Sequence, residues 1–376
     1  MNMWKRPWKI KEGFAAGAGI LVLGGVIELF AGPVHWEALR FPVNLVVLVA
    51  YLCILTILFL LRKRVYPVEW MMHGGGAATA SIACCAALTF IMGLTGIDLL
   101  ESWPFILSYL WMTSIVGLAS INRISHFRKK DIPFILNHLG LFIALVAGTL
   151  GSPDIRREEI TVSEGGSAGT GITVTLHAFR MEQYPPELTL GNDPSERLRI
   201  DNGMLGGRLG EWDIEVLRNI PYAGIAEDDS TGYRAWLHPG ACCAMEVKAS
   251  RGAESHSGWV CCGSFLFPPA TLDLGGGESL VMAPREAKEY TSEVTVTSGG
   301  KRADGIIEVN KPMRLDGWTI YQQGYDVSMG EWSGISILRA VRNPWLPVVV
   351  AGIFMMMGGA IAGLLKVSGK RKEGKE

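Results

Sequence analysis

The chain has 376 residues, of which 49% are hydrophobic and 19% are charged, with a mean hydropathy of +0.25. This composition argues against an ordinary cytosolic protein. The formal net charge of -1 argues against nucleic acid as a partner, because phosphate binding requires a basic surface. The apolar residues are concentrated at the two ends, and the middle segment is polar enough to build its own core away from lipid.

Six apolar stretches are long enough to cross a bilayer as helices, which takes roughly 20 residues each. Five precede the polar segment and one follows it, at residues 14–31, 44–61, 76–94, 103–121, 132–150 and 345–365. No small-x-small cleavage motif follows the first stretch, so we interpret it as a retained anchor and not as a signal peptide.

Basic residues flank these stretches in four clusters, and short loops rich in Lys and Arg stay in the cytoplasm. The clusters precede the first span, follow the second, separate the fourth from the fifth and follow the sixth: Lys5, Arg6, Lys9 and Lys11; Arg62, Lys63 and Arg64; Arg123, Arg128, Lys129 and Lys130; Lys366, Lys370, Arg371 and Lys372. Six spans put all four clusters on one side. The prediction is that both termini are cytoplasmic and the polar segment is extracytoplasmic.

The polar segment contains runs of alternating, β-branched residues that are typical of half-buried strands. Gly, Pro, Asn and Asp clusters separate these runs, which lie at residues 172–176, 212–217, 293–297 and 318–321. We therefore predict a polytopic α-helical membrane protein of six spans, with an all-β extracytoplasmic domain, a sandwich or a partly open barrel, inserted between spans 5 and 6. The predicted domains are a five-helix membrane domain, the β-rich domain, a last membrane helix and a cytoplasmic tail, at residues 1–151, 152–342, 343–366 and 367–376.

Seven cysteines divide between the predicted compartments. Cys53, Cys84 and Cys85 fall within spans, where a thiol acts as a small apolar side chain. Four others lie in the outer domain and are disulfide candidates in an oxidising compartment: Cys242, Cys243, Cys261 and Cys262. Neighbours on a strand point to opposite faces, so the favoured pattern joins one member of each vicinal pair. Zinc binding by these four with His256 is an alternative, although their spacing differs from that of zinc knuckles.

Catalytic motifs are missing from the sequence: there is no Walker A loop, HExxH, GxSxG or CxxCH. We predict no catalytic residue. Most of the seven histidines fall in the outer domain or in loops, where a structural role is expected. His138 differs because it lies about six residues, roughly 9 Å, into the fifth span. An ionisable group at that depth is costly unless it meets a partner or a ligand, and imidazole is a common ligand of haem iron. A neutral imidazole bonded to a neighbouring helix is the alternative.

Three blocks of sequence resemble the ResB/CcsB family of System II cytochrome c biogenesis. The first starts with Ile-Leu-Asn-His-Leu-Gly at 135–140, in the span that leads into the outer domain. The second is the block 310–326, which contains Trp-Thr-Ile-Tyr-Gln-Gln-Gly-Tyr-Asp, and the third is Asn-Pro-Trp-Leu-Pro at 343–347. Gln-Tyr-Pro-Pro-Glu-Leu at 183–188 is similar to a further outer-domain motif of the family.

The resemblance implies a bacterial inner-membrane protein that takes haem b outward and helps to attach it to apocytochrome c. It implies a partner of the CcsA/ResC type, which carries the tryptophan-rich WWD segment that this chain lacks; thiol-reducing proteins are further candidate partners. The chain is then a non-catalytic or co-catalytic subunit of a haem lyase complex. By position, His138 matches the family's axial haem ligand, and Arg62 and Arg123 are candidate contacts for the haem propionates. No metal other than haem iron is expected.

Two other functions remain open from the sequence. A transporter or scaffold without haem would use the β domain as a receptor, and haem absorbance would distinguish it from a haem protein. A membrane thiol-disulfide protein would use the four outer cysteines and would need an exposed thiol of low pKa.

Overall fold

A computed structural model describes residues 4, 6–73, 75–201, 205–226 and 232–373, with side chains through Lys366. The chain divides into two compact units. The first, here the membrane unit, comprises Met1–Arg156 and Asn343–Glu376, and the second, the β unit, comprises Arg157–Arg342. The two boundaries predicted from the sequence are 151/152 and 342/343.

Seven helices of the described residues form the membrane unit: α1 (Ile10–Ala31), α2 (Val43–Leu61), α3 (Tyr66–His73), α4 (Gly75–Thr95), α5 (Trp103–Ser125), α6 (Ile132–Gly151) and α7 (Leu346–Glu373). Six of them are long and apolar enough to cross a membrane, with α7 counted over Leu346–Lys366. This confirms the predicted multi-pass membrane protein. The additional helix α3 was not predicted, because its eight residues are too few to span a bilayer.

Contacts at the helix ends show that α6 and α7 run in opposite directions, and that α1 and α5 do so as well. At one end, the Lys366 ammonium on α7 donates to the Lys130 carbonyl before α6, at 2.7 Å. At the other end, the Trp103 indole at the start of α5 donates to the carbonyl of Gly32, just after α1, at 3.0 Å. The predicted basic clusters before α6 and at the end of α7 therefore share one end of the unit.

Helices α6 and α7 pack closely through small residues. A Cβ added at Gly352 would lie 2.7 Å from the backbone nitrogen of Ala144 and 2.7 Å from the Gly140 carbonyl oxygen, and one added at Gly359 would lie 2.5 Å from the backbone nitrogen of Asn137. Glycines of this kind let membrane helices approach until their backbones touch. The packing fixes α6, which carries His138, against the last helix.

Seventeen strands of the described residues form the β unit. They are β1 (Arg156–Ser163), β2 (Ser167–Ala168), β3 (Thr173–Gln183), β4 (Glu187–Leu190), β5 (Asp193–Arg199), β6 (Gly206–Leu209), β7 (Trp212–Ile225), β8 (Tyr233–Ala235), β9 (Cys242–Arg251), β10 (Glu254–Cys261), β11 (Leu272–Gly275), β12 (Glu278–Met282), β13 (Ala287–Ser298), β14 (Lys301–Glu308), β15 (Met313–Leu315), β16 (Trp318–Tyr325) and β17 (Ile335–Arg342). The predicted β-rich domain after the fifth span is confirmed.

The strands form four sheets, which pack in two pairs, and each pair encloses its own hydrophobic core. Sheets β1-β17-β16-β15 and β14-β13-β3-β2 enclose one core, which includes Leu176, Val296 and Ile320. Sheets β11-β12-β4-β5 and β10-β9-β7-β6, the latter with β8 on β7, enclose the other, which includes Trp212 and Met245. The β unit therefore contains two sandwiches, where the sequence predicted a single sandwich or barrel.

The segment between β16 and β17 joins the two sandwiches. The Trp332 indole donates to the Ala241 carbonyl, directly before β9, at 2.9 Å. The ring of Trp332 also meets that of Tyr222 on β7 edge to face, at 5.8 Å. Trp332, which belongs to the first sandwich, thus holds the start of β9 in the second sandwich. Cys242 and Cys243 are the first two residues of that strand.

Candidate functional site

His138 lies half-buried on α6, stacked on the ring of Phe134 one turn earlier. The two ring centroids are 3.7 Å apart and the planes differ by 16°. Nδ1 of His138 lies 3.1 Å from the Phe134 carbonyl oxygen, and because that oxygen can only accept, Nδ1 carries the proton. The lone pair of the imidazole is then on Nε2. A backbone carbonyl that fixes the tautomer of a histidine is the usual arrangement at metal-ligating histidines.

Arg123, at the end of α5, provides a positive charge beside this stacked pair. Its guanidinium carbon lies 5.0 Å from the centroid of Phe134, and Nη1 lies 3.3 Å from the carboxylate of Asp131, which is buried just before α6. Half of the Arg123 side chain remains exposed. The structure thus brings Arg123 and His138 together around Phe134, and Arg123 retains surface for an anionic group.

Arg62 does not join this site in the described structure. Its guanidinium covers the ring of Phe59 at 3.9 Å and donates to the Phe59 carbonyl oxygen at 2.8 Å, so it caps its own helix, α2. To reach a propionate it would have to leave both contacts. Between the two arginine candidates, the geometry favours Arg123.

Two other histidines of the membrane unit make different contacts. Nδ1 of His73 lies 3.1 Å from the Glu69 carbonyl, and Nε2 accepts from the Asn122 amide at 3.3 Å, so both ring nitrogens are engaged. His126 is exposed beyond the end of α5 and bonds to the Asn122 carbonyl at 3.1 Å. His138 is distinguished from both by its place inside a span.

The four cysteines of the β unit lie on two adjacent strand ends and face in two directions. Cys243 is buried in the core that contains Trp212, with its sulfur 3.8 Å from the Asn219 amide oxygen. Cys242 and Cys261 are buried on the opposite side of the strands, with their sulfurs 3.0 Å apart. Cys262 is partly exposed. The structure therefore brings one member of each vicinal pair together, in the pattern that the sequence favoured; the bond itself stays a prediction.

Hydrogen-bond donors converge on the sulfur of Cys261. The backbone N–H of Gly263 donates to it at 3.3 Å, and the sulfur of Cys242 lies 3.0 Å away, where either thiol can be the donor. With Cys242 as the donor, these bonds lower the pKa of Cys261. The same bond to Cys261 raises the pKa of Cys242, and burial adds to the effect. Burial raises the pKa of Cys243 to about 12.

The zinc alternative finds no support in the geometry. Among the described residues, no three His, Cys, Asp or Glu side chains are arranged to hold a metal ion. His256 is directed away to Glu254, at 3.2 Å, and meets the ring of Trp212 edge to face.

Asp154, just after α6, is a polar centre that the sequence analysis missed. Its carboxylate accepts from the backbone N–H of Phe41 at 2.8 Å, the amide of Asn44 at 2.7 Å and the indole of Trp345 at 2.7 Å. These bonds join the starts of α2 and α7 to the end of α6. Trp345, which bonds to Asp154, belongs to the Asn-Pro-Trp motif at 343–345. This motif could have pointed to a polar contact, but it was interpreted only as the start of the last span.

One family model matches part of this chain. The model of the ResB-like family matches residues 281–337, which begin within β12, end within β17 and include the block 310–326. The match does not reach α6, so it does not test the role of His138. No curated protein matches the chain.

One solved structure similar to this chain is described as Cytochrome c Heme Lyase CcmF. The sequences are 12% identical, the alignment covers 94% of this chain and 46% of that one, and the TM-score is 0.28. A TM-score this low does not establish a common fold, and this chain spans just under half the length of that protein. The family match nevertheless agrees with the motifs in the sequence, and the resemblance of this chain to the ResB family is confirmed.

Proposed function

We propose that this chain is a membrane subunit of a cytochrome c biogenesis complex, which takes haem across the bacterial inner membrane for thioether attachment to apocytochrome c. The ResB-like match and the motifs around it support the assignment to cytochrome c biogenesis. The observation that carries the haem-binding part is the geometry of His138. Its Nδ1–H is held by the Phe134 carbonyl, which leaves the Nε2 lone pair for an iron atom.

Haem is the cargo in this proposal, and the residues around His138 suit its chemistry. The ring is flat and apolar, which suits a position beside Phe134 between membrane helices, and its propionates are anionic. Arg123 offers a partly exposed guanidinium next to Phe134 for one of them. The second axial ligand would come from a partner of the CcsA/ResC type. This chain then binds and orients haem, and the partner completes the lyase.

The proposed orientation places the β unit outside the cytoplasm. Lys130 and Lys366 share one end of the membrane unit, and short basic segments favour the cytoplasmic side. The chain enters and leaves the β unit from Asp154 and Trp345, which are bonded to each other at the end of α6 opposite to Lys130. On this orientation the β unit is extracytoplasmic, where apocytochrome c receives its haem.

The test replaces His138 by Ala in the full chain, expressed together with its partner, and compares it with His126→Ala. Both substitutions remove an imidazole near the same end of the membrane unit, but His126 is exposed and outside the proposed site. We expect His138→Ala to lose most of the haem absorbance of the purified complex and most covalent haem in cytochrome c, with the chain present at normal level. His126→Ala should retain both.

Two results would contradict the proposal. A purified complex of the unmodified chain without haem absorbance would favour a transporter or scaffold. Normal haem content and normal cytochrome c maturation in His138→Ala would make His138 a structural residue, held by Phe134 alone.

A further inference from the structure

The two chain segments that connect the sandwiches of the β unit run side by side and form a cleft. Residues 184–186 connect β3 of the first sandwich to β4 of the second, and residues 283–286 connect β12 of the second to β13 of the first. The backbone N–H of Tyr184 donates to the Glu286 carbonyl at 2.9 Å. The cleft has a volume of about 430 Å³, and ligand sites of this size often lie at such junctions. One wall of it is the Gln-Tyr-Pro-Pro-Glu-Leu motif at 183–188, which the proposed function does not use.

Three arginine side chains line the cleft, and they come from both of its sides. Arg197 and Arg199 are two residues apart on β5, so their side chains lie on the same face of that strand. Arg285 belongs to the connection between β12 and β13, and its Nε donates to the Tyr184 carbonyl oxygen at 3.1 Å. The three guanidinium groups therefore surround one small space.

Glu187 holds two of these arginines in place without using all of their donors. Nη1 of Arg197 donates to Oε2 of Glu187 at 3.1 Å, and Nε and Nη2 of Arg199 donate to Oε1 at 3.1 and 2.9 Å. The bonds from Arg199 and then from Arg197 lower the pKa of Glu187, so its carboxylate is ionised at neutral pH. Each guanidinium has five N–H donors, and 52% of each of these two side chains is exposed. Both arginines therefore keep N–H groups for a ligand.

The charges that line the cleft suit a ligand with a single negative charge. Besides the three arginines, the charged lining residues are Glu187 and the exposed Glu286. One positive charge is therefore not balanced within the cleft. A carboxylate carries one negative charge, and its two oxygens match the planar fork of a guanidinium. A phosphate group carries close to two negative charges at neutral pH, which is more than the cleft leaves unbalanced.

The strand beside the cleft favours a polypeptide over a small free acid. β5 is the edge strand of the sheet β11-β12-β4-β5, and every residue of it except Leu198 is exposed. An extended segment can lie along such an edge and place one side chain in a neighbouring pocket. The ring of Tyr184, which is 41% exposed, and the ring of Pro185 give the wall of the cleft an apolar surface that the segment can cover.

We propose that this cleft binds a carboxylate of an extended polypeptide segment, with Arg197, Arg199 and Arg285 as the donors. Glu187 and the carbonyl of Tyr184 are positioning groups, because they hold the arginines in place before the ligand binds. Side chains that are already ordered lose less conformational freedom on binding. The cleft is thus a docking site for an acidic segment of a partner protein. The inference does not require haem and is independent of the proposed function.

The experiment measures peptide binding to the full chain in detergent by fluorescence anisotropy. The probe is a short peptide of Thr and Val with one central Glu, blocked at both ends and labelled with an uncharged fluorophore. A matched peptide has Gln in place of the Glu. We expect the Gln peptide to bind about tenfold more weakly, because the charge-assisted hydrogen bonds are lost.

Substitutions in the chain locate the binding. Arg197→Gln and Arg285→Gln should each weaken binding of the Glu peptide by about tenfold. Arg180→Gln removes the same charge from an exposed arginine that is paired with Glu293 at 3.7 Å, and it should bind like the unmodified chain. Glu286→Gln should strengthen binding by about twofold, because it removes a negative charge beside the ligand. A gain of affinity cannot result from damaged folding.

Four results with the peptides and variants would each overturn the proposal. These are no binding of the Glu peptide at about 1 mM, equal binding of the two peptides, unchanged binding in both arginine variants, and unchanged or weaker binding in Glu286→Gln. Competition distinguishes the other possible ligands. Displacement of the Glu peptide by inorganic phosphate at a much lower concentration than by acetate would assign the cleft to phosphate. Displacement by acetate at the concentration at which the unlabelled peptide competes would assign it to a small free acid.

Discussion

The close approach of α6 and α7 predicts opposite effects for the same substitution at two positions of one helix. Gly352 is buried against α6, and Gly358, six residues later, is exposed with nothing within 4 Å of an added Cβ. In Gly352→Ala the new methyl group would stand 2.7 Å from both the backbone nitrogen of Ala144 and the carbonyl oxygen of Gly140. Backbone atoms cannot rotate away, so the two helices must separate.

The expected difference in the free energy of unfolding follows from comparing the two variants. Alanine in place of glycine favours the helix by about 1 kcal/mol at either position, so this gain cancels in the comparison. What remains is the overpacking at Gly352, typically about 1–3 kcal/mol. At roughly 2–4 °C per kcal/mol, we expect the midpoint of thermal unfolding of Gly352→Ala to lie several degrees below that of Gly358→Ala.

Thermal unfolding of the purified full chain in detergent, followed by fluorescence, measures this difference. The unmodified chain should fall between the two variants or close to Gly358→Ala. Equal midpoints for the two variants would show that α6 and α7 do not touch at Gly352, and the packing that holds the helix of His138 would have to be revised.

Three other predictions concern the β unit and the topology. Burial raises the pKa of Glu331, so the folded state binds a proton that the unfolded state releases, and stability falls as pH rises above the unfolded pKa of about 4.3. Glu331→Gln should remove this loss in denaturation curves recorded as a function of pH. Ser292 is bonded at 2.7 Å to both Gln322 and Ser336 in a buried network, so Ser292→Ala should lower the free energy of unfolding by about 1–3 kcal/mol, and an unchanged denaturation midpoint would contradict this. A reporter fused after Lys130 should read cytoplasmic, and an extracytoplasmic signal would refute the proposed orientation.

The helices could be predicted from the sequence because membrane spans depend on length and apolarity alone. The predicted end of the first span, Ala31, is the observed end of α1, and the start of α5 at Trp103 was also predicted. The prediction missed α3, because nothing in the eight residues from Tyr66 to His73 separates a short helix from a loop. His138 was selected by its depth in the span, but the stacking on Phe134 and the nearby charge of Arg123 depend on how α5 and α6 pack.

The arrangement of the strands was much harder to predict. Alternation identified segments of β3, β7, β13 and β16, yet it carries no information about which strands share a core. The approach of Cys242 and Cys261 depends on the register between β9 and β10, in which Cys261 lies opposite Ala244 and therefore on the same face as Cys242. A shift of this register by one residue would place Cys261 on the other face, and nothing in the sequence marks the register. The vicinal spacing alone therefore could not decide the pairing.

The most direct test of haem ligation is chemical rescue of His138→Gly in the complex with its partner. Removal of the side chain beside Phe134 leaves space for a free imidazole, which can occupy the coordination position that the histidine would fill. We predict that the haem spectrum and cytochrome c maturation are lost in His138→Gly and that added imidazole restores the spectrum towards that of the unmodified complex. An unchanged spectrum in His138→Gly without imidazole would contradict the assignment of His138 as a haem ligand.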